Sequence, residues 1–165
     1  MNIASKFSPC LMVGLIACVA HPALAAEAAR QEEVAQRGAQ VMPFDLEKTQ
    51  HYFIKTEDGG IQQVVAKDTA DSEQITLIRL HLKDISGKFG HGDFSGPAAI
   101  HGDQMPGLAR LRQAKPDEWK IQYRDLENGA EIRYSSALPE MVQAIHQYFN
   151  AQLSDHGRHA MHHDR

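Results

Sequence analysis

The chain has 165 residues, with 17 lysines and arginines, 21 aspartates and glutamates and ten histidines, a net charge of −4 when the imidazoles are neutral. A mildly acidic chain without a dense basic patch has no electrostatic reason to bind nucleic acid. Its two cysteines, Cys10 and Cys18, fall in an amino-terminal leader, so stability must come from an ordinary apolar core and any metal chemistry from imidazole, carboxylate and methionine.

The amino end reads as an export signal, with Lys6 in a short polar start, an apolar run Leu11 to Ala20, and Ala23-Leu24-Ala25 ahead of Ala26. The run is shorter than the roughly 20 residues that span a bilayer, and no other segment is apolar enough for a membrane helix. Cleavage after Ala25 gives a periplasmic or secreted protein of 140 residues that has lost Lys6 and none of its 21 acids, for a net charge of −5. Leu15-Ile16-Ala17-Cys18 also has the form of a lipobox, with a lipid anchor at Cys18 as the less favoured alternative.

Residues 26–40, rich in Ala, Glu, Gln and Arg, read as a solvated linker or loose helix, and the domain is expected over residues 41–155. His51 to Lys55 and Ile61 to Val65 are predicted strands around the turn Glu57-Asp58-Gly59-Gly60. Ile75, Ile78, Leu82, Ile85 and Phe89 follow the spacing of one buried helix face, with Asp71 or Ser72 as its cap. Gly90, Gly92, Gly96 and Pro97 then predict a long loop to about Gln104, and a short helix is expected over residues 107–114. Trp119 to Arg124 and Ala130 to Tyr134 alternate as strands around Glu127-Asn128-Gly129, and a last helix is expected from Pro139 to Leu153.

These elements repeat as hairpin, helix, hairpin, helix, and His81, His91 and Gly92 recur 65 residues later as His146, His156 and Gly157. The expected fold is therefore α+β: an antiparallel sheet from two β-hairpins with helices packed on one face, arranged as a ββα-ββα pseudo-repeat. A pseudo-twofold would bring the two helix exits together and gather His91, His101, His156 and His159.

Imidazole supplies the chain's most conspicuous chemistry. His91-Gly92-Asp93 and His101-Gly102-Asp103 place nitrogen and carboxylate donors on flexible backbone, suited to zinc, copper or nickel. Asp93 and Asp103 alternatively orient a histidine from outside the metal's own ligands, or cap short helices. Residues 156–165 form a His-rich tail in which His156, His159, His162 and His163 are candidate ligands, with Met161 a soft donor. His146 shares a helix face with Val142, Phe149 and Leu153 and reads as a core histidine with its N–H satisfied, His81 reads as exposed, and His51 has no evident partner. No catalytic residue is assigned: serines lack a G-x-S-x-G elbow, and H-E-x-x-H, phosphate-loop and dinucleotide patterns are absent.

The runs Gly92 to Ser95, Ile100 to Gly102, Met105 to Leu108, Gly129 to Tyr134 and Ser154 to Gly157 resemble a group of small exported proteobacterial proteins of unknown function, over about Arg37 to Ala160. Members of that group are often labelled aspartate carbamoyltransferase. This chain lacks the Ser-Thr-Arg-Thr loop and the His-Pro-x-Gln motif of that enzyme and is too short for its two domains, so that activity is not supported.

The sequence thus leads to an exported α+β protein that binds a divalent transition metal through histidines, for buffering or stress resistance. The alternatives are an envelope protein-binding module with incidental histidines and a small metal-assisted hydrolase.

Overall fold

The computed structural model describes residues 22–161. Residues 1–21, which include the apolar run and Cys18, and His162 and His163 of the tail lie outside the described residues.

Two hairpins form where alternation and turn chemistry place them. β1 (Thr49–Thr56) and β2 (Gly59–Ala66) pair antiparallel around Glu57-Asp58, one residue pair tighter than the expected turn, so that Gly59 and Gly60 belong to β2. Gly60 is required by packing, because a Cβ there would collide with the Phe149 ring. β3 (Lys120–Leu126) and β4 (Gly129–Ser135) form the second hairpin. β2 and β4 pair antiparallel and join the two into one sheet.

Two long helices pack on the inward face of that sheet, giving an α+β fold. α2 (Ser72–Gly90) starts where the Asp71 carboxylate accepts the Gln74 N–H, and buries the expected Ile75, Ile78, Leu82 and Phe89. α5 (Pro139–His156) runs three residues beyond the expected end at Leu153. α2 lies mainly over β3 and β4, and α5 over β1 and β2, so each hairpin is covered by the helix of the other half. Phe53, Phe89, Tyr134 and Phe149 meet at this crossing and are each at most 2% exposed.

Residues 26–40, expected as a solvated linker or a loose helix, take the helical alternative as part of α1 (Pro22–Val41), which packs on α5 and buries Val34 and Gly38. The expected loop contains α3 (Ser95–His101): Pro97 falls in its first turn, where no intrahelical N–H is needed, and the Asp93 carboxylate accepts the Ser95 N–H. α4 (Leu108–Arg112) follows, and Gly107 before it has φ 79° with its α-carbon pressed against the Ala144 carbonyl, a position open only to glycine.

The first residues of the expected tail belong to the domain. After α5, a 3-10 turn Gly157–His159 leads into β5 (Ala160–Met161), which pairs parallel with β1. The sheet therefore has five strands in the order β3-β4-β2-β1-β5 and is mixed, not purely antiparallel. β5 thereby covers an edge of β1 that would otherwise present unpaired backbone groups.

Candidate functional site

The loop histidines and their aspartates do not converge. His91 is exposed, and its Nδ1–H donates to the Gly87 carbonyl at 2.9 Å, closing the end of α2. Asp93 serves α3 as described, its carboxyl held low by the Ser95 hydrogen bonds. Asp103 is exposed and pairs with Arg112 at 2.9 Å. Each of the three is engaged locally at a helix or with a neighbouring arginine.

His101 and His156 do come together, and two histidines given no role by the sequence complete the group. β1 turns His51 inward beside Phe53, α2 presents His81 from the flank of its apolar stripe, α3 ends in His101, and α5 ends in His156. All four line one inward cavity of about 50 Å³, walled by Met42, Phe44, Phe53, Val64, Leu82, Ile85, Phe89 and Ile100, with the amides of Gln62 and Gln152. The His51 and His156 rings are nearly parallel with centroids 5.2 Å apart, and His101 meets His156 edge-on at 5.0 Å. Parity along β1 is the signal that places His51: two residues before Phe53, it must share that residue's face. His81, expected to be exposed, is half-buried and packs edge-on against Phe44 at 5.5 Å.

Burial disfavours the charged form of three of these imidazoles, His51, His81 and His156. Burial pushes His51 down to about 4, with only a hydrogen bond to the His159 backbone acting against it. His156 is driven well below the ordinary histidine value by burial and then by the charges His51 and His101 would carry, and burial also lowers His81. The His51 ring therefore donates Nε2–H to the His159 carbonyl and leaves Nδ1 as a bare lone pair, which finds no partner among the described residues. Gln152 Oε1 is likewise buried and unpartnered, while the rest of that amide is engaged by Tyr148.

One side of the cavity is braced by charge. His101 Nδ1–H donates to Asp155 Oδ2 at 2.8 Å, and Arg30 of α1 reaches the same oxygen at 2.7 Å and the His101 carbonyl at 2.7 Å. Burial alone would raise the Asp155 carboxyl, but the bonds and charges of His101 and Arg30 outweigh it and hold it at about 2. Gln31 to the Ser154 carbonyl adds another tie, so α1 is sewn across α3 and α5 largely by polar contacts, and Val41 and Met42 at its end close the cavity. Replacing Asp155 with alanine strands the buried His101 N–H and leaves Arg30 only the His101 carbonyl and Glu33. We expect a loss of about 2 kcal/mol in urea unfolding, with less than additive further loss when Arg30→Ala is combined with it.

His156 also borders a second, outer groove between α1 and the segment Pro43 to Glu47, and so forms part of the wall between groove and cavity. His159 faces that groove, buried, with Nε2–H donated to Glu47 Oε1 at 2.9 Å; Arg158 binds the same carboxylate. Outside this group, His146 behaves as its helix position predicts: half-buried, with Nε2–H shared between the Thr56 and Gly59 carbonyls at 3.0 and 2.9 Å.

Among the described residues, no three histidines or carboxylates stand in position to hold a metal ion. The near-parallel rings of His51 and His156 and the engagement of Asp155 by Arg30 account for that. The described helices also include none long and apolar enough to cross a membrane. The chain matches no family model, no curated protein and no solved structure.

Proposed function

We propose that this is an exported binding protein whose ligand, or the inner end of it, occupies the cavity between the sheet and helices α2, α3 and α5. The observation that carries this reading is the cavity itself: apolar walls with a few convergent polar groups, contributed by β1, β2, α2, α3 and α5. No serine, threonine, cysteine or lysine lines it, and the one hydroxyl on its wall, that of Tyr148, is engaged by the Gln152 amide. The leader supports export. The test is a heteronuclear NMR titration of the purified protein with small neutral organic probes. Saturable shifts confined to His51, Val64, Ile100 and His156 are expected, and they should vanish in Ile100→Phe, which fills the space. Probes that shift only surface resonances, or none, would overturn the reading.

A second reading, uptake of zinc, copper or nickel, is favoured by one observation. Two imidazoles on a single tetrahedral ion, with metal–nitrogen bonds of about 2.0–2.1 Å, have centroids roughly 5 Å apart, and His156 stands at 5.0 and 5.2 Å from His101 and His51. Nδ1–H of His101 is held by a carboxylate, an arrangement that orients metal-binding histidines. Binding there requires a ring to turn from its described position. Calorimetry with each metal separates the sites: loss on His156→Phe identifies the cavity, and loss on removal of residues 162–165 identifies the tail.

A further inference from the structure

Resting on the binding reading above, we propose that the group received by the cavity is an uncharged hydrogen-bond donor of only a few non-hydrogen atoms, such as a primary amide or a hydroxyl, held by His51 Nδ1 and Gln152 Oε1.

The polarity follows from which atoms are left over. Leaving a buried acceptor without a partner costs about as much as the hydrogen bond it forgoes, and this cavity has two: Nδ1 of His51, 3% exposed, and Oε1 of Gln152, 5% exposed. Both are lone-pair acceptors. The Gln62 carbonyl oxygen on the same wall is already taken by the Tyr134 hydroxyl at 2.7 Å, so it does not compete. An incoming group must therefore turn N–H or O–H toward these two atoms.

Charge is excluded from both sides. A carboxylate or phosphate would meet bare nitrogen and oxygen lone pairs in an apolar enclosure with no lysine or arginine on its wall. A cation would find no free carboxylate, because Asp155 sits behind His101 and is already paired with Arg30. Burying an uncompensated ion there is costlier than any contact the cavity returns.

Size sets the last limit. A cavity needs about 10–15 Å³ on this measure to hold one water, so 50 Å³ admits a few water-sized units and not an aromatic ring. A larger ligand would have to leave its remainder outside, and the outer groove shares Met42, Phe44 and His156 with the cavity wall.

Acetamide, acetone and acetate have the same number of heavy atoms and nearly the same shape, and differ only in donor and charge. Titrated into the purified protein and followed by NMR, acetamide is expected to bind about tenfold more tightly than acetone, the factor that one net hydrogen bond supplies, and acetate not at all. His51→Phe keeps the ring and removes the acceptor, and Gln152→Met does the same for the amide; each should reduce the advantage of acetamide over acetone several-fold without changing acetone. Equal binding of acetamide and acetone, or preferred binding of acetate, would overturn the donor assignment while leaving the cavity as a binding site. Absence of saturable binding by all three, with water alone filling the space, would overturn both. Retention of the acetamide preference in His51→Phe and Gln152→Met would show that other atoms receive it, and would also overturn the assignment.

Discussion

Unfolding free energy is expected to fall by on the order of 3 kcal/mol from His51 alone as the pH is lowered from 7 to 4. The folded protein holds this imidazole at about 4 against an ordinary value of 6.5, because the ring is buried. The unfolded chain therefore binds a proton in the interval where the folded chain does not, and protonation pulls the equilibrium toward unfolding. Stability is fully present above 6.5 and is lost as the pH falls through the window toward 4. His156 is displaced in the same direction and deepens the loss, as does His81. His101 and His159 also face this group, each already donating to a carboxylate, Asp155 and Glu47. A separate loss follows below pH 4, where Asp155, held at about 2, is still ionised in the fold and protonated in the unfolded chain. Urea titrations at half-unit pH intervals measure both steps. His51→Phe should remove its share of the upper step and leave the lower one in place; an unchanged upper step in that variant would show that His51 is not the group responsible.

The cavity is an unusual place for four imidazoles, and the reason the sequence conceals it is physical. Local patterns report which face of an element is buried, and here they report well: Ile75 to Phe89 on α2, the alternation of both hairpins, and the start of α5 at Pro139 all follow from periods of 3.6 and 2. They do not report which element a buried face meets. His101 and His156 are 55 positions apart, and His51 lies 50 before His101, so their meeting depends on the crossing of α2 and α5 over exchanged hairpins. The repeated His-Gly-Asp triplets draw attention to Asp93 and Asp103, yet each aspartate answers to a nearer demand, an unsatisfied helix N–H or a neighbouring arginine. α1 is hidden for another reason: among its 20 residues only Val34 and Gly38 are buried, too few to produce a periodic signal. β5 is two residues long and is defined by the edge it joins. What was legible in the neighbourhood of the site was parity: His51 must face where Phe53 faces.

Replacing Phe149 with alanine is expected to destabilise the protein by about 3–5 kcal/mol, the range for deleting a fully enclosed phenylalanine. No part of this ring reaches solvent. It packs edge-on against Phe53 of β1 at 5.3 Å and Tyr134 of β4 at 5.5 Å, and over Gly60 of β2, so one side chain of α5 joins strands from both hairpins. Small residues cannot close such a gap, because Phe53 and Tyr134 are anchored in the sheet and Tyr134 is further fixed by its hydroxyl bond to Gln62. Phe149→Leu, which retains most of the volume, should cost less than half as much. The same substitution bears on the site: one and two turns further along α5, Gln152 and His156 form one wall of the cavity, so loosening the helix at Phe149 should also weaken small-molecule binding without replacing any lining residue. Urea denaturation gives the first effect and an acetamide titration under fully folding conditions the second. A cost below about 1 kcal/mol for Phe149→Ala would mean that the seam between the hairpins is not where the fold is held.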